Sequence, residues 1–279
     1  MNEAQALGQS HYSFWRKTPS QVTVSGYWFD MSMSPGNPVP QYYAASPLIA
    51  QQMKQSTDGG IRHGSTRTGT SKFIKRFLMM SSVATGIPMP WVLCDYLLYY
   101  PFVDTGTNDE QLMTNSVSLP RFTDGVGVQM MAVSVAANSS LQPTFTVNYT
   151  NQDGTAGRTS APCVLNVATA NGNIITGNQA AAVSNGCFIP LQSGDYGVRS
   201  VESVTFTSGT DVGLFALVLV KPLMSGCQHM QTAPHEVIPL THQSGFPQIY
   251  DDSFLGIICQ PTGSLSGVAF HGEIEVGWN

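Results

Sequence analysis

VESVTFTSGTDVGLFALVLVKPL, residues Val201 to Leu223, decides the fold. In its first half Val204 and Phe206 alternate with Ser203, Thr205 and Thr207, the pattern of a strand with one buried and one wet face. Ser208-Gly209-Thr210-Asp211 consists of turn formers. From Leu214 to Val220 every residue is apolar, so the second strand needs cover on both faces. That cover is either another part of the chain or another copy of it.

Outward from this stretch, short strands separated by turn signals recur from Trp91 onward. They fall at Trp91–Val103, within 125–136, at Thr144–Thr150, and near 163–168, 172–176, 253–259 and 268–277. Thr144–Thr150 alternates Phe145, Val147 and Tyr149 with polar residues, then meets Asn151-Gln152-Asp153-Gly154, whose Asp-Gly pair is a hairpin signal. The pattern predicts an all-β fold over residues 91–279, an antiparallel β-sandwich with jelly-roll-like organisation.

Composition agrees. Charged residues make up 10% of the 279, against the usual quarter, while Gly (27) and Pro (17) are plentiful. Few charges suit a loop-rich β protein that packs against neighbours. The five cysteines (94, 163, 187, 227, 259) contain no CxxC pair and are odd in number, which predicts buried free thiols and synthesis in a reducing cytoplasm. The N-terminus lacks the apolar core of a signal peptide. The longest apolar run, Trp91–Val103, is too short to span a bilayer and carries Asp95. No membrane partner is expected. Charge is unevenly spread: residues 1–80 hold eight Lys/Arg and three acids, while residues 81–279 hold four Lys/Arg and fourteen acids. The two parts are expected to have different neighbours.

Residues 1–70 read as an extended basic, aromatic arm. SPGNPVPQYY (34–43) carries three prolines, and STDGGIRHGSTRTGTS (56–71) is rich in Gly, Ser and Thr. The rings of Trp15, Trp28, Phe29, Tyr42 and Tyr43 are the candidate partner-binding residues, because a free linker would hold few aromatics. Residues 71–90 are assigned to a short helix and connection, since Phe73, Ile74, Phe77 and Leu78 fall on one helical face. Phe215, Leu217 and Leu219, on the strand that needs double cover, are the candidate self-association residues.

No catalytic set emerges, and no enzyme activity is expected. Gly64 to Ser71 approaches a phosphate-binding loop, but Thr70 stands where the lysine is needed. His229, His235 and His242 share a loop region without metal-ligand spacing. Glu273 and Glu275 read as the solvated face of a strand, and Asp109-Glu110 and Asp251-Asp252 lie in loops without an EF-hand pattern. In Gly263–Gly267 Leu265 occupies the place of a nucleophilic serine. Asn138 and Asn148 match a glycosylation pattern that has meaning only on secretion. No cofactor and no metal are expected. Eight Lys/Arg spread over 80 residues are sparse for phosphate binding, so no nucleic acid is expected either.

Residues 94–133, CDYLLYYPFVDTGTNDEQLMTNSVSLPRFTDGVGVQMMAV, resemble structural proteins of tailed-bacteriophage virions. FTVNYTNQDGTAGRTS (145–160), the stretch 188–223 and PQIYDDSFLGIICQPTGSL (247–265) carry the resemblance further, over about two thirds of the chain. It is closest in kind to capsid cement or decoration proteins. It implies a β-sandwich that assembles as a homotrimer, binds the major capsid protein at junctions on the outside of the phage head, and has no catalytic residues. A tail, baseplate or head–tail junction protein is the alternative, and a carbohydrate-binding or hydrolytic β-sandwich is a third class.

Overall fold

The computed structural model describes residues 9–139, 141–166, 170–174, 176–177, 186–231, 233–242 and 245–279. Among them are nine strands of six residues or more: β1 (Ser10–Lys17), β2 (Lys72–Ser81), β3 (Met89–Asp104), β4 (Gln129–Ala136), β5 (Thr144–Asn151), β6 (Val198–Ser208), β7 (Leu214–Gln228), β8 (Phe254–Cys259) and β9 (Phe270–Trp278). Their ladders are all antiparallel, and the expected antiparallel β-sandwich is what forms. It is built of three sheets. A central sheet runs β8-β3-β7-β4, a terminal sheet β2-β9-β1, and a third is centred on β5 and β6.

The two longest strands, β3 and β7, pair along nearly their whole length and set the architecture. One end of a single face of the central sheet packs on the β5/β6 sheet. There Leu98, Tyr100, Val103, Phe215, Leu217 and Leu219 meet Phe145, Val147, Val204 and Phe206. The other end of that face packs on the terminal sheet, where Trp91, Leu93, Met224, Leu255 and Ile257 meet Trp15, Phe77, Phe270 and Ile274. The opposite face presents Cys94, Tyr96, Ala216, Val218, Val220, Phe254 and Ile258. It is covered by Met33, Tyr43, Met53, Ile174 and Cys187, from connecting segments. The strand that is apolar on both sides is therefore covered on both sides within one chain. The turn at 209–213 is a corner between two sheets, so β6 and β7 face each other across a core instead of forming a hairpin: the Phe206 and Phe215 rings lie 6.5 Å apart. The Asp-Gly signal at 153–154 does close a hairpin, with Arg158–Thr159 pairing back onto β5.

Two expectations are corrected. The predicted helix over Lys72–Met80 is strand β2. Its register against β9 runs Arg76↔Glu275 and then Ile74↔Val276, which leaves Lys75 as the extra residue of a β-bulge. The bulge places the buried Ile74 and Phe77 three residues apart, which reproduces a helical spacing inside a strand. Nor are residues 9–70, the described part of the predicted arm, outside the body. β1 pairs with β9 over all eight of its residues, Phe29–Asp30 pairs with the end of β8, and Gln51–Gln52 pairs with β3. The prolines and glycines of this region mark where the chain bends around the central sheet.

Candidate functional site

Three of the five aromatic partner-binding candidates are core residues. Trp15, on the inner face of β1, stacks on Phe77 with ring centroids 5.7 Å apart. Phe29 and Tyr43 are fully buried. Trp28 is partly buried against the segment-covered face of the central sheet. Tyr42 alone is well exposed, at 58%. Phe215, Leu217 and Leu219 are fully buried in the core between the central sheet and the β5/β6 sheet. A second copy has no access to them, and the physical ground for expecting a trimer through this strand is gone.

What the structure builds instead is a set of buried polar anchors that hold the N-terminal segment in one conformation. Asp30 is fully buried, and its carboxylate accepts four hydrogen bonds: from Ser32 N–H (2.8 Å) and Tyr96 O–H (2.7 Å) on Oδ1, and from Ser32 O–H (2.8 Å) and Tyr43 O–H (2.5 Å) on Oδ2. That uses all the acceptor sites a carboxylate has. Burial raises its pKa, and the donors from Tyr43, Tyr96 and Ser32 oppose the rise. Nearby Lys17 is buried, and its ammonium donates to the carbonyls of Ser32 (3.4 Å), Ser34 (3.0 Å) and Pro38 (2.9 Å). Desolvation lowers its pKa to about 8, against the opposing pull of Asp30.

These anchors position an exposed ridge. Pro38 is gripped by Lys17, Gln41 N–H donates to the Ser32 carbonyl (3.0 Å), and Tyr43 is tied to Asp30. Tyr43 sits at φ 52°, a left-handed conformation that costs a non-glycine residue energy and persists because its buried ring and hydroxyl are fixed. Between the fixed points Val39 (64% exposed) and Tyr42 point into solvent. A second surface lies on the terminal sheet. Its outer face carries Tyr12 and Phe14 of β1 beside Glu275 and Glu273 of β9. There Arg76 pairs with Glu236 (2.9 Å), Glu273 and Glu275 (3.6 Å), and Lys75 pairs with Glu275 (2.6 Å).

The other candidates are distributed as follows. Glu273 and Glu275 lie in that ion-pair face. Asp251 pairs with the buried Lys72 (3.1 Å) and accepts from Thr66 N–H and O–H, so the glycine-rich loop at 64–71 is pinned to the body, with Lys72 also donating to the Gly64 carbonyl (2.6 Å). Glu110 accepts from Ser203 O–H (2.6 Å). The His229 and His235 rings are 6.1 Å apart, and the His242 side chain lies outside the described residues. Among the described residues no group of three His, Cys, Asp or Glu could hold a metal ion. All five cysteines are free, and all but Cys227 are buried. Nothing in the periodicity singles out the anchors Lys17 and Asp30. A lone charge inside an aromatic stretch, as in Trp28-Phe29-Asp30, was the available signal.

No protein-family model matches the chain, and no curated protein matches it. Among solved structures, that of infectious bursal disease virus Gt strain aligns over 96% of this chain and 80% of its own at 7% identity and TM-score 0.19. The VP2 subviral particle of infectious bursal disease virus aligns over 97% and 80% at 9% identity and TM-score 0.17. Likenesses this slight carry neither fold nor function to the present chain.

Proposed function

We propose that this chain is a structural protein of a virus particle, which binds the outside of a tailed-phage head and cements neighbouring subunits of the major capsid protein. In this reading it is a binding protein without catalysis, cofactor, nucleic acid or membrane partner. The resemblance of residues 94–278 to phage virion proteins supports it. The observation that carries it is the ridge at residues 38–42, where Val39 and Tyr42 are displayed on backbone held by Lys17 and the Asp30 cluster. Rigid presentation of exposed apolar side chains lowers the ordering cost of docking, and tyrosine is enriched among residues that dominate binding energy. The buried charges of the chain tie distant segments of one fold together, as a load-sharing part requires.

The test is occupancy of pre-formed heads. Tyr42→Ala with Val39→Ser touches no anchor and should leave folding intact, yet weaken head binding by about 2 kcal/mol, roughly thirtyfold in Kd. Unchanged occupancy would refute docking through this ridge.

A further inference from the structure

Residues 115–119 and the adjoining ends of β5 and β6 line a groove of about 500 Å³. Its walls are fixed. Tyr100 O–H donates to the Asn115 side-chain carbonyl (2.7 Å), the Asn115 amide donates to the Val201 carbonyl (2.8 Å), and the Gln52 side chain donates to the Ser118 carbonyl (2.8 Å). The ladder of β5 and β6 passes from Val198↔Asn151 to Ser200↔Thr150, which leaves Arg199 as the extra residue of a β-bulge. Bulges re-aim side chains in this way. Arg199 Nε donates to the carbonyls of Asp124 (3.1 Å) and Gln152 (3.0 Å), and Nη2 to that of Gln152 (2.6 Å).

The groups left unengaged say what fits the groove. Among the described residues Arg199 is in no ion pair, and its Nη1 donates to none of them. Gly154, at φ 78°, leaves that nitrogen open, since a Cβ there would lie 3.3 Å from it. The hydroxyls of Ser118, Thr123 and Ser200, which also line the groove, make no hydrogen bond among the described residues. The neighbouring carboxylates are engaged elsewhere: Glu202 accepts from Thr150 O–H (2.6 Å) and Gly157 N–H (3.0 Å), and Asp124 from Val126 N–H (3.1 Å). A free guanidinium edge without a counter-ion favours a carboxylate, because such hydrogen bonds are charge-assisted. Three hydroxyls, each able to donate and accept, match the hydroxyls of a sugar. The apolar lining is confined to Val117 and Leu119, so the apolar side chains of a protein partner would gain little here.

We infer that this groove binds a carboxylate-bearing sugar, with the carboxylate on Arg199 Nη1 and the ring hydroxyls on Ser118, Thr123 and Ser200. Fixed walls lower the ordering cost of binding, while the small polar contact and the lack of a ring to stack on keep the affinity for a single sugar in the millimolar range. The site does not depend on the virion reading, because it is a property of the purified chain.

The test is titration of the isotope-labelled chain with sodium glucuronate, followed by amide NMR. Glucose and sodium acetate are the controls for the sugar body and the charge alone. Glucuronate should shift the amide signals of Ser118, Thr123 and Ser200 saturably, and bind at least about tenfold more tightly than either control. Ser118→Leu, at an exposed loop position, fills the groove without touching the bonds of Arg199. It should abolish the shifts and leave the melting temperature unchanged; Thr123→Leu, also exposed, is the second variant of this kind. Acetate binding as tightly as glucuronate would mean an adventitious anion contact only, and glucose binding as tightly would remove the role of Arg199; either overturns the proposal. So would the absence of a saturable shift, or shifts that survive both variants. None of these results depends on head binding.

Discussion

Arg121 grips Asp95 with two parallel hydrogen bonds, Nε to Oδ2 at 3.0 Å and Nη2 to Oδ1 at 2.7 Å, where the core under the terminal sheet meets the core under the β5/β6 sheet. Asp95 lies on β3 between Leu93, which belongs to the core under the terminal sheet, and Leu97, which belongs to the core under the β5/β6 sheet. Ser253 O–H (2.6 Å) and Phe254 N–H (3.1 Å) also donate to the carboxylate, and the guanidinium reaches the carbonyls of Met53 (3.1 Å) and Tyr96 (2.8 Å). Burial raises the Asp95 pKa, and Arg121 is the leading opposing influence. One buried ion pair thus joins the central strand, the loop before β8, the N-terminal segment and the segment after residue 119.

Removing one partner leaves the other charge buried without compensation. Arg121→Met should therefore destabilise the protein by about 3–5 kcal/mol. The double variant Arg121→Met/Asp95→Leu should recover much of that loss. Urea unfolding of the three proteins measures it, and additive losses would show that the pair is not coupled.

The N-terminal segment should be indispensable to the fold. Deleting residues 1–70 removes β1 together with the buried Trp15, Phe29 and Tyr43, and strips Met33, Tyr43 and Met53 from one face of the central sheet. Circular dichroism should show loss of cooperative folding. Trp15→Ala alone should cost about 3–5 kcal/mol. A truncated chain with a native melting transition would contradict the observed role of β1.

Much of this organisation was legible in the sequence, and the errors have identifiable causes. The alternation at Val204–Phe206 and the apolar run Leu214–Val220 correctly required a sandwich and a second cover. Which segment supplied the cover was not readable, because a covering segment follows no period of its own: Met33, Tyr43, Met53 and Ile174 come from four places outside the strands. In β1 both faces carry rings, so pattern alone could not separate the buried Trp15 from the exposed Phe14. The bulge at Lys75 concealed β2 by imitating a helix. Of the two adjacent tyrosines in the proline-rich stretch, Tyr42 is exposed, whereas Tyr43 is buried with its hydroxyl on Asp30, a difference that composition alone does not carry.

Leu217→Ala should lower stability by about 2–5 kcal/mol and leave the oligomeric state unchanged, because Leu217 is fully buried in a core made by one chain. Chemical unfolding and light scattering on the same sample check both parts.

Stability should fall in mild acid through His63. The ring is fully buried, with Nε2 donating to the Ser253 carbonyl at 2.9 Å, and burial, then Lys72, lowers its pKa from 6.5 to about 4. Between these values the unfolded chain holds a proton that the folded chain does not. Stability is therefore undiminished above pH 6.5 and declines as pH falls toward 4, by about 3 kcal/mol in total from this group. His63→Gln should flatten that part of the pH profile of the urea midpoint. Parallel profiles for the two proteins would exclude His63 as the cause.

The most direct measurement is the copy number and position of this chain in purified virus particles, by quantitative mass spectrometry with cryo-electron microscopy. The account predicts copies in the hundreds on the outer surface of the head, with the Val39–Tyr42 ridge against the major capsid protein. Absence from the particle, or a small ring of copies confined to the tail, would contradict it.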